Sequence, residues 1–331
     1  MAIGSFLELD LHFSNHLYSG DDVAMLNSAR AGIWHACRIY GVKKVHIPFY
    51  ECYTVADFLR SKGMEILYYH IDNNFNPQAF AQESDSAVVL INYFGLRSDR
   101  DMAKLASAYS NVIIDNAQAF FAKPIDSALN IYSPRKFVGV PDGCYVVGDN
   151  ARMYVEEYAE DHSSDTASFL FKRIEYGCEN SYKDRMENEQ RIDHSDICRM
   201  SALSKAILGS APYAFIASRR KENFQYAKDK FRSINMISDV LDSADSDNVP
   251  FVYPLVVKDH ALVEKLAEKK IFTGRWWKYL LDVVPESSFE HILSSYMVPV
   301  PIDQRYGREE IDYIYDVLKN VLDTKNNKTN E

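Results

Sequence analysis

The sequence predicts an α/β fold, with a mixed, mostly parallel sheet covered by helices on both faces. Three observations predict it. Short apolar runs alternate with helix-patterned segments between residues 28 and 147, the spacing of strands joined by helical crossovers. The run at 111–114 reads as a buried strand with Asp115 at its end. Twenty-one residues on, Lys136 closes Ser133-Pro134-Arg135-Lys136, ahead of a Pro141-Asp142-Gly143 turn and a second apolar run, Cys144–Val147. One acid and one lysine thus stand at the ends of neighbouring strands, where open α/β sheets bind ligands.

Taken in order, residues 1–20 read as an aromatic-rich arm. Ser28 is placed to N-cap a helix running to Tyr40. A strand at 42–48 leads into the loop Phe49-Tyr50-Glu51-Cys52-Tyr53-Thr54. A helix at 55–62, strands at 64–70 and 87–93, and a helix at 99–109 precede the central strand. Beyond Val147 the pattern turns helical and polar, at 152–160, 169–176 and 182–190. A long helix starts near Arg199, breaks around 209–212 and continues to 231. Residues 243–248, SADSDN, read as a loop. A strand at 249–257, a helix at 260–269, a strand at 297–301 and a helix at 309–322 follow, with a disordered tail from 325.

The charge balance narrows the function. Of 331 residues, 47 are acidic and 37 basic, a formal net charge of −10 with no basic run beyond pairs such as Lys43-Lys44. Nucleic acid, which requires clustered positive charge, is not an expected partner. No apolar run reaches membrane-spanning length, and the acidic start MAIGSFLELDLHF is no signal peptide. Five widely spaced cysteines with no CxxC pair suit neither a disulfide framework nor a zinc site, and no metal is expected. The expected location is the cytoplasm.

The segment 113–143 resembles the active-site core of fold-type-I pyridoxal-phosphate enzymes. More narrowly, it resembles the DegT/DnrJ/EryC1/StrS sugar aminotransferases. Asp115-Asn116-Ala117-Gln118-Ala119 matches that family's "EDxAQA"-like segment, and Lys136 precedes Gly139 and Asp142-Gly143 as the family lysine precedes its "GxGG"-like turn. The resemblance extends from about residue 22 to 322 and is specific only around 115–143. Cys144 departs from it, standing where a second glycine is usual.

The resemblance implies a large cofactor-binding domain with its arm (1–232), a small α+β domain with the tail (233–331), and a homodimer with shared sites. It implies pyridoxal 5'-phosphate held as a Schiff base on Lys136, which then acts as general base, with Asp115 pairing with the pyridine nitrogen. A neutral lysine and a fixed carboxylate suit that chemistry. By the same resemblance, the helix start at Ser28, Ala29 and Arg30 binds the phosphate, as a helix N-terminus suits an anion. Ser133 joins it, and Arg199 is the nearest candidate for a contact to the neighbouring subunit's phosphate. Gln118 belongs to the cofactor segment. Either Cys52 or Tyr53 covers the ring, with Tyr53 preferred on chemistry. In the small domain, Trp277 and Arg305 combine rings and cations suited to a sugar and its anionic group, or else pack the domain interface and pair with a nearby acid.

The implied reaction is transfer of an amino group from a small-molecule donor to a keto sugar, carried on a nucleotide. A dehydratase of the same family and a non-catalytic relative are the alternatives. The dehydratases typically carry histidine at the lysine position, so Lys136 counts against the first.

Overall fold

The structure is a computed structural model and describes residues 5–244 and 247–328. Strand β1 (Val23–Leu26) leads through the buried Asn27 into α1 (Ala29–Tyr40). Ser28 caps α1, its hydroxyl accepting from the Ala31 N–H. β2 (Lys44–Pro48), α2 (Tyr53–Ser61), β3 (Glu65–Tyr69), β4 (Ser86–Ile91), α3 (Asp99–Ala106) and β5 (Val112–Asp115) follow. β6 (Leu129–Tyr132) and β7 (Cys144–Val147) complete a seven-stranded sheet in the order β1-β7-β6-β5-β4-β2-β3. Only β7 runs against its neighbours. All six residues of β4 are buried, as a parallel strand covered on both faces requires.

The polar middle is a long helix, α4 (Ser168–His194), then α5 (Ala202–Gly209) and α6 (Tyr213–Phe231). The break between α5 and α6 falls at the expected place. α7 (Ser238–Asp242), β8 (Tyr253–Val256), α8 (Leu262–Glu268), α9 (Phe289–Tyr296), β9 (Met297–Val300) and α10 (Arg308–Lys328) close the chain. β8 and β9 form a separate antiparallel pair. One continuous core joins Val89 and Ile113 of the large sheet to Leu255 and Val298 of the small one. A buried aliphatic side chain of this kind contributes about 1.5–3 kcal/mol.

The structure departs from the sequence reading in several places. β1 and β6 are strands that the apolar pattern did not reveal. Residues 152–160 hold turns and the short 3-10 segment Val155–Glu157 rather than a helix. The two helices expected at 169–176 and 182–190 are one, α4, broken in backbone only at Gly177 (φ 80°, ψ −171°). α10 continues to Lys328, so the expected tail is helical that far; residues 329–331 lie outside the described residues. The expected loop at 243–248 includes 245–246, which also lie outside them.

The arm packs against β6, β7 and the end of α5. The Ser14 N–H donates to the Gly209 carbonyl at 2.7 Å. The Tyr18 hydroxyl meets the carbonyls of Phe120 and Ala122 at 2.7 and 2.9 Å, and its ring stacks on Tyr132 at 4.1 Å.

Candidate active site

Five loops meet at one edge of the sheet, because β1, β2, β4, β5 and β6 all point the same way. They carry Asn27-Ser28, Glu51-Cys52, Tyr93–Gly95, Asp115–Gln118 and Ser133–Lys136. The start of α1 reaches this edge because the helix packs tightly on β6 and β7. A Cβ added at Gly32 would stand 2.8 Å from the Cys144 sulfur and 3.2 Å from Ile131 and Val146. The Gly143 N–H donates to the Asn27 carbonyl at 2.8 Å, joining the helix start to the turn after Lys136.

Two acids lie buried at this edge. Asp115 is 5% exposed and its Oδ1 accepts from the Ala117 N–H at 2.7 Å. Glu51 is equally buried; its Oε1 accepts from the Cys52 N–H at 2.7 Å, and its Oε2 has no hydrogen bond. Burial raises both carboxyls, and for Glu51 the charge of Asp115 adds to it, pushing it up to about 8. Lys136 and the Ala117 N–H act against the rise at Asp115. The Glu51 loop is held by two hydroxyls: Tyr279 donates to the Glu51 carbonyl at 2.8 Å, and Tyr93 to the Tyr50 carbonyl at 2.8 Å.

Lys136 ends a 3-10 turn, Pro134–Lys136, and its side chain is exposed, with Nζ 5.7 Å from the Phe251 ring centroid. Ser133 opens that turn; it is buried and makes no capping bond. The turn is fixed from behind. Arg220 of α6 donates to the Lys136 and Phe251 carbonyls, and Gln304 donates to the Phe137 carbonyl at 2.8 Å.

The structure therefore brings Asp115, Lys136, Ser133, the α1 start and Cys52 to one edge. Between Cys52 and Tyr53, Cys52 is the residue on which Glu51 and Lys136 act electrostatically. Tyr53 is 54% exposed and meets Tyr279 edge-on. Other candidates are engaged elsewhere. The Arg30 guanidinium pairs with Asp193 and the Ile192 carbonyl, leaving its backbone at the helix start. The Gln118 Oε1 accepts from the Phe94 N–H at 2.9 Å. Gly95 allows that contact, since at φ 71° a Cβ there would lie 2.8 Å from the Gln118 carbonyl. Arg199 pairs with Glu156 at 3.0 Å. Trp277 packs edge-on against Tyr50 at 4.3 Å, and Arg305 forks onto Asp303 at 2.7 and 2.9 Å. The contacts of these last two match the packing alternative.

Two residues of the site escaped the sequence reading. Glu51 lies in a loop read for Cys52 and its aromatic rings, and Arg220 lies in a helix segment to which no role was given. An acid three residues past a buried strand was the available signal for Glu51, and the four-residue spacing of Arg220 from Ile216 and Phe224 was the signal for Arg220.

No protein-family model matches the chain, and no curated protein matches its sequence. Solved structures do match. A sugar aminotransferase from Micromonospora echinospora is 15% identical over 90% of this chain and 87% of its own, with a TM-score of 0.62. A DegT DnrJ EryC1 StrS aminotransferase from Brucella abortus is 13% identical over 90% and 85%, with a TM-score of 0.61. NtdA from Bacillus subtilis, solved with the bound cofactor PMP, is 14% identical over 91% and 73%, with a TM-score of 0.65. The seven-stranded, mostly parallel sheet and these overlaps together give the chain the fold of the sugar aminotransferases.

Proposed function

We propose that the chain is a pyridoxal-phosphate-dependent aminotransferase acting on a keto sugar, carried on a nucleotide. The observation that supports this most is the pairing of a buried carboxylate, Asp115, with an exposed amine, Lys136, at adjacent strand ends of this fold. The residues present fit the cofactor: beside Asp115, the buried Asn116 Oδ1 has no hydrogen bond, so polar capacity is left over at this edge.

In this reading the bound cofactor supplies an electron sink through its protonated ring. Asp115 holds the proton on the ring nitrogen by its charge, strengthened by exclusion from water. The Lys136 Nζ anchors the cofactor and, once free, carries a proton to and from the substrate carbon that bears nitrogen. The backbone N–H groups at Ser28–Arg30 and the Ser133 hydroxyl bind the phosphate. Cys52 or Tyr53 flanks the ring. Residues 1–232 form the cofactor domain and 233–331 the smaller domain. In a homodimer, Arg199 would exchange Glu156 for the phosphate of a second copy. Borohydride treatment of protein loaded with pyridoxal phosphate tests the reading. The cofactor should be fixed on the peptide bearing Lys136, and a label on another lysine, or none, rejects it.

A further inference from the structure

Asp115 has a neighbour that the sheet order hides. Glu51 follows β2 and Asp115 ends β5, with β4 between them. The loop after β2 arches over that strand, held by the Tyr93 and Tyr279 hydroxyls, and places the Glu51 carboxyl in electrostatic contact with Asp115. We propose that Glu51 is a positioning residue for Asp115: it keeps its proton in the folded protein and presents it to Asp115, so that the two buried acids carry one negative charge between them.

The argument is one of partners. Two carboxylates buried together cannot both remain ionised. Asp115 has the better claim to the charge, because it accepts the Ala117 N–H and is drawn by Lys136. Glu51 has one N–H on Oε1, and its Oε2 is sealed from water with no donor. A proton on that oxygen satisfies it and turns a repelling charge into a donor. The other titratable groups facing Glu51 are Cys52 from the start of α2, Tyr69 from β3, Tyr93 from the turn after β4 and Tyr279 from the 3-10 segment Lys278–Asp282. Burial raises all four, so they are uncharged at neutral pH and leave the balance to the two acids and Lys136. If the ring reading above holds, which this inference assumes for its catalytic consequence, a cationic ring nitrogen then meets a single matching charge. Loss of the Glu51 proton would double that charge and weaken the orientation of Asp115.

The first test uses the protein without cofactor. An unfolded glutamate ionises near ~4.3, whereas folded Glu51 stays protonated to about 8. Folding therefore takes up one proton between these values, and the melting temperature of the wild type should fall as pH rises through that window. Glu51→Gln should lose that slope. Infrared spectra of the wild type should show a protonated-carboxyl band at pH 7 that disappears around pH 8, a readout independent of whether the variant folds. The loaded protein supplies the second test: the wild type should show an alkaline transition in the bound-cofactor spectrum, and Glu51→Gln should abolish it. A wild type with no carboxyl band at pH 7, or a variant with the wild-type melting slope, overturns the proposal. A wild type that shows the band and the slope but never takes up pyridoxal phosphate overturns the cofactor reading instead, and the shared proton stands.

Discussion

The Arg220 guanidinium lies over the Phe137 ring, 4.5 Å from its centroid, and donates to the carbonyl of Lys136 at 3.3 Å. One side chain from α6 thus braces the lysine turn from below. It also donates to the Phe251 carbonyl at 2.8 Å and the Gln304 side chain at 3.2 Å. Burial lowers its guanidinium to about 10, which still leaves it charged at neutral pH. Arg220→Ala should strand several buried carbonyls at about 1–3 kcal/mol each, for a loss of about 3–5 kcal/mol. Arg220→Lys should recover less than half, because an ammonium lacks the fork. Denaturant midpoints at unchanged slope measure both.

Asp115→Asn should leave the fold intact, since the amide oxygen can still accept the Ala117 N–H. The amine-transfer half-reaction should slow by at least ~100-fold, the scale of a lost electrostatic partner. Single-turnover absorbance with an amino donor measures it, and a near-wild-type rate would place another residue at the ring nitrogen.

Ser133 is buried at the start of the lysine turn, with its hydroxyl uncommitted to capping. Ser133→Ala should weaken cofactor binding by about 1–3 kcal/mol, the range for a hydrogen bond to a charged group. Equilibrium titration of the unloaded protein is the measurement. Unchanged affinity would leave the α1 start as the principal phosphate anchor.

Arg305→Ala separates the two readings of that residue. Burial alone would raise the Asp303 carboxyl, but the Arg305 fork outweighs it and holds the carboxyl below its usual range. A carboxyl lowered in the folded state contributes stability above its unfolded value, near ~3.9, and loses it as pH falls through the folded one. The wild type should therefore lose this contribution below about pH 4, and Arg305→Ala should not show that loss. At neutral pH the variant should be less stable by about 1 kcal/mol, a modest figure because Arg305 is 55% exposed. A raised KM for the sugar with an unchanged melting temperature would restore Arg305 to substrate binding.

The sheet and the edge bearing Asp115 and Lys136 were legible because their signals are local: continuous apolar runs, a terminal acid, a lysine before a Pro-Asp-Gly turn. β1 and β6 were not, since each has four residues and β6 carries Asn130 mid-strand. That asparagine is wholly buried, donating to the carbonyls of Ile125 and Ala128 at 3.0 Å, a pairing no periodicity reveals. Glu51 became visible only with the strand order, because β4 separates its strand from that of Asp115. Arg30 and Arg305 show the converse case. Their charge suggested ligands, but a carboxylate of the same chain, on α4 or two residues away, already meets each guanidinium.

The arm's anchors also order events during synthesis. Ser14 binds Gly209 across 195 residues, His16 meets Tyr145 across 129, and Tyr18 reaches Phe120 across 102. Contacts this distant in sequence form only after the intervening chain has closed its own loops. The arm leaves the ribosome well ahead of its partners, yet it cannot dock fully until residue 209 has emerged. Until the arm docks, Phe120, Tyr132 and Tyr145 lack their Tyr18 cover. The half-made chain therefore presents an aromatic surface that the finished one conceals, and it is at this stage that a chaperone would find the most to bind.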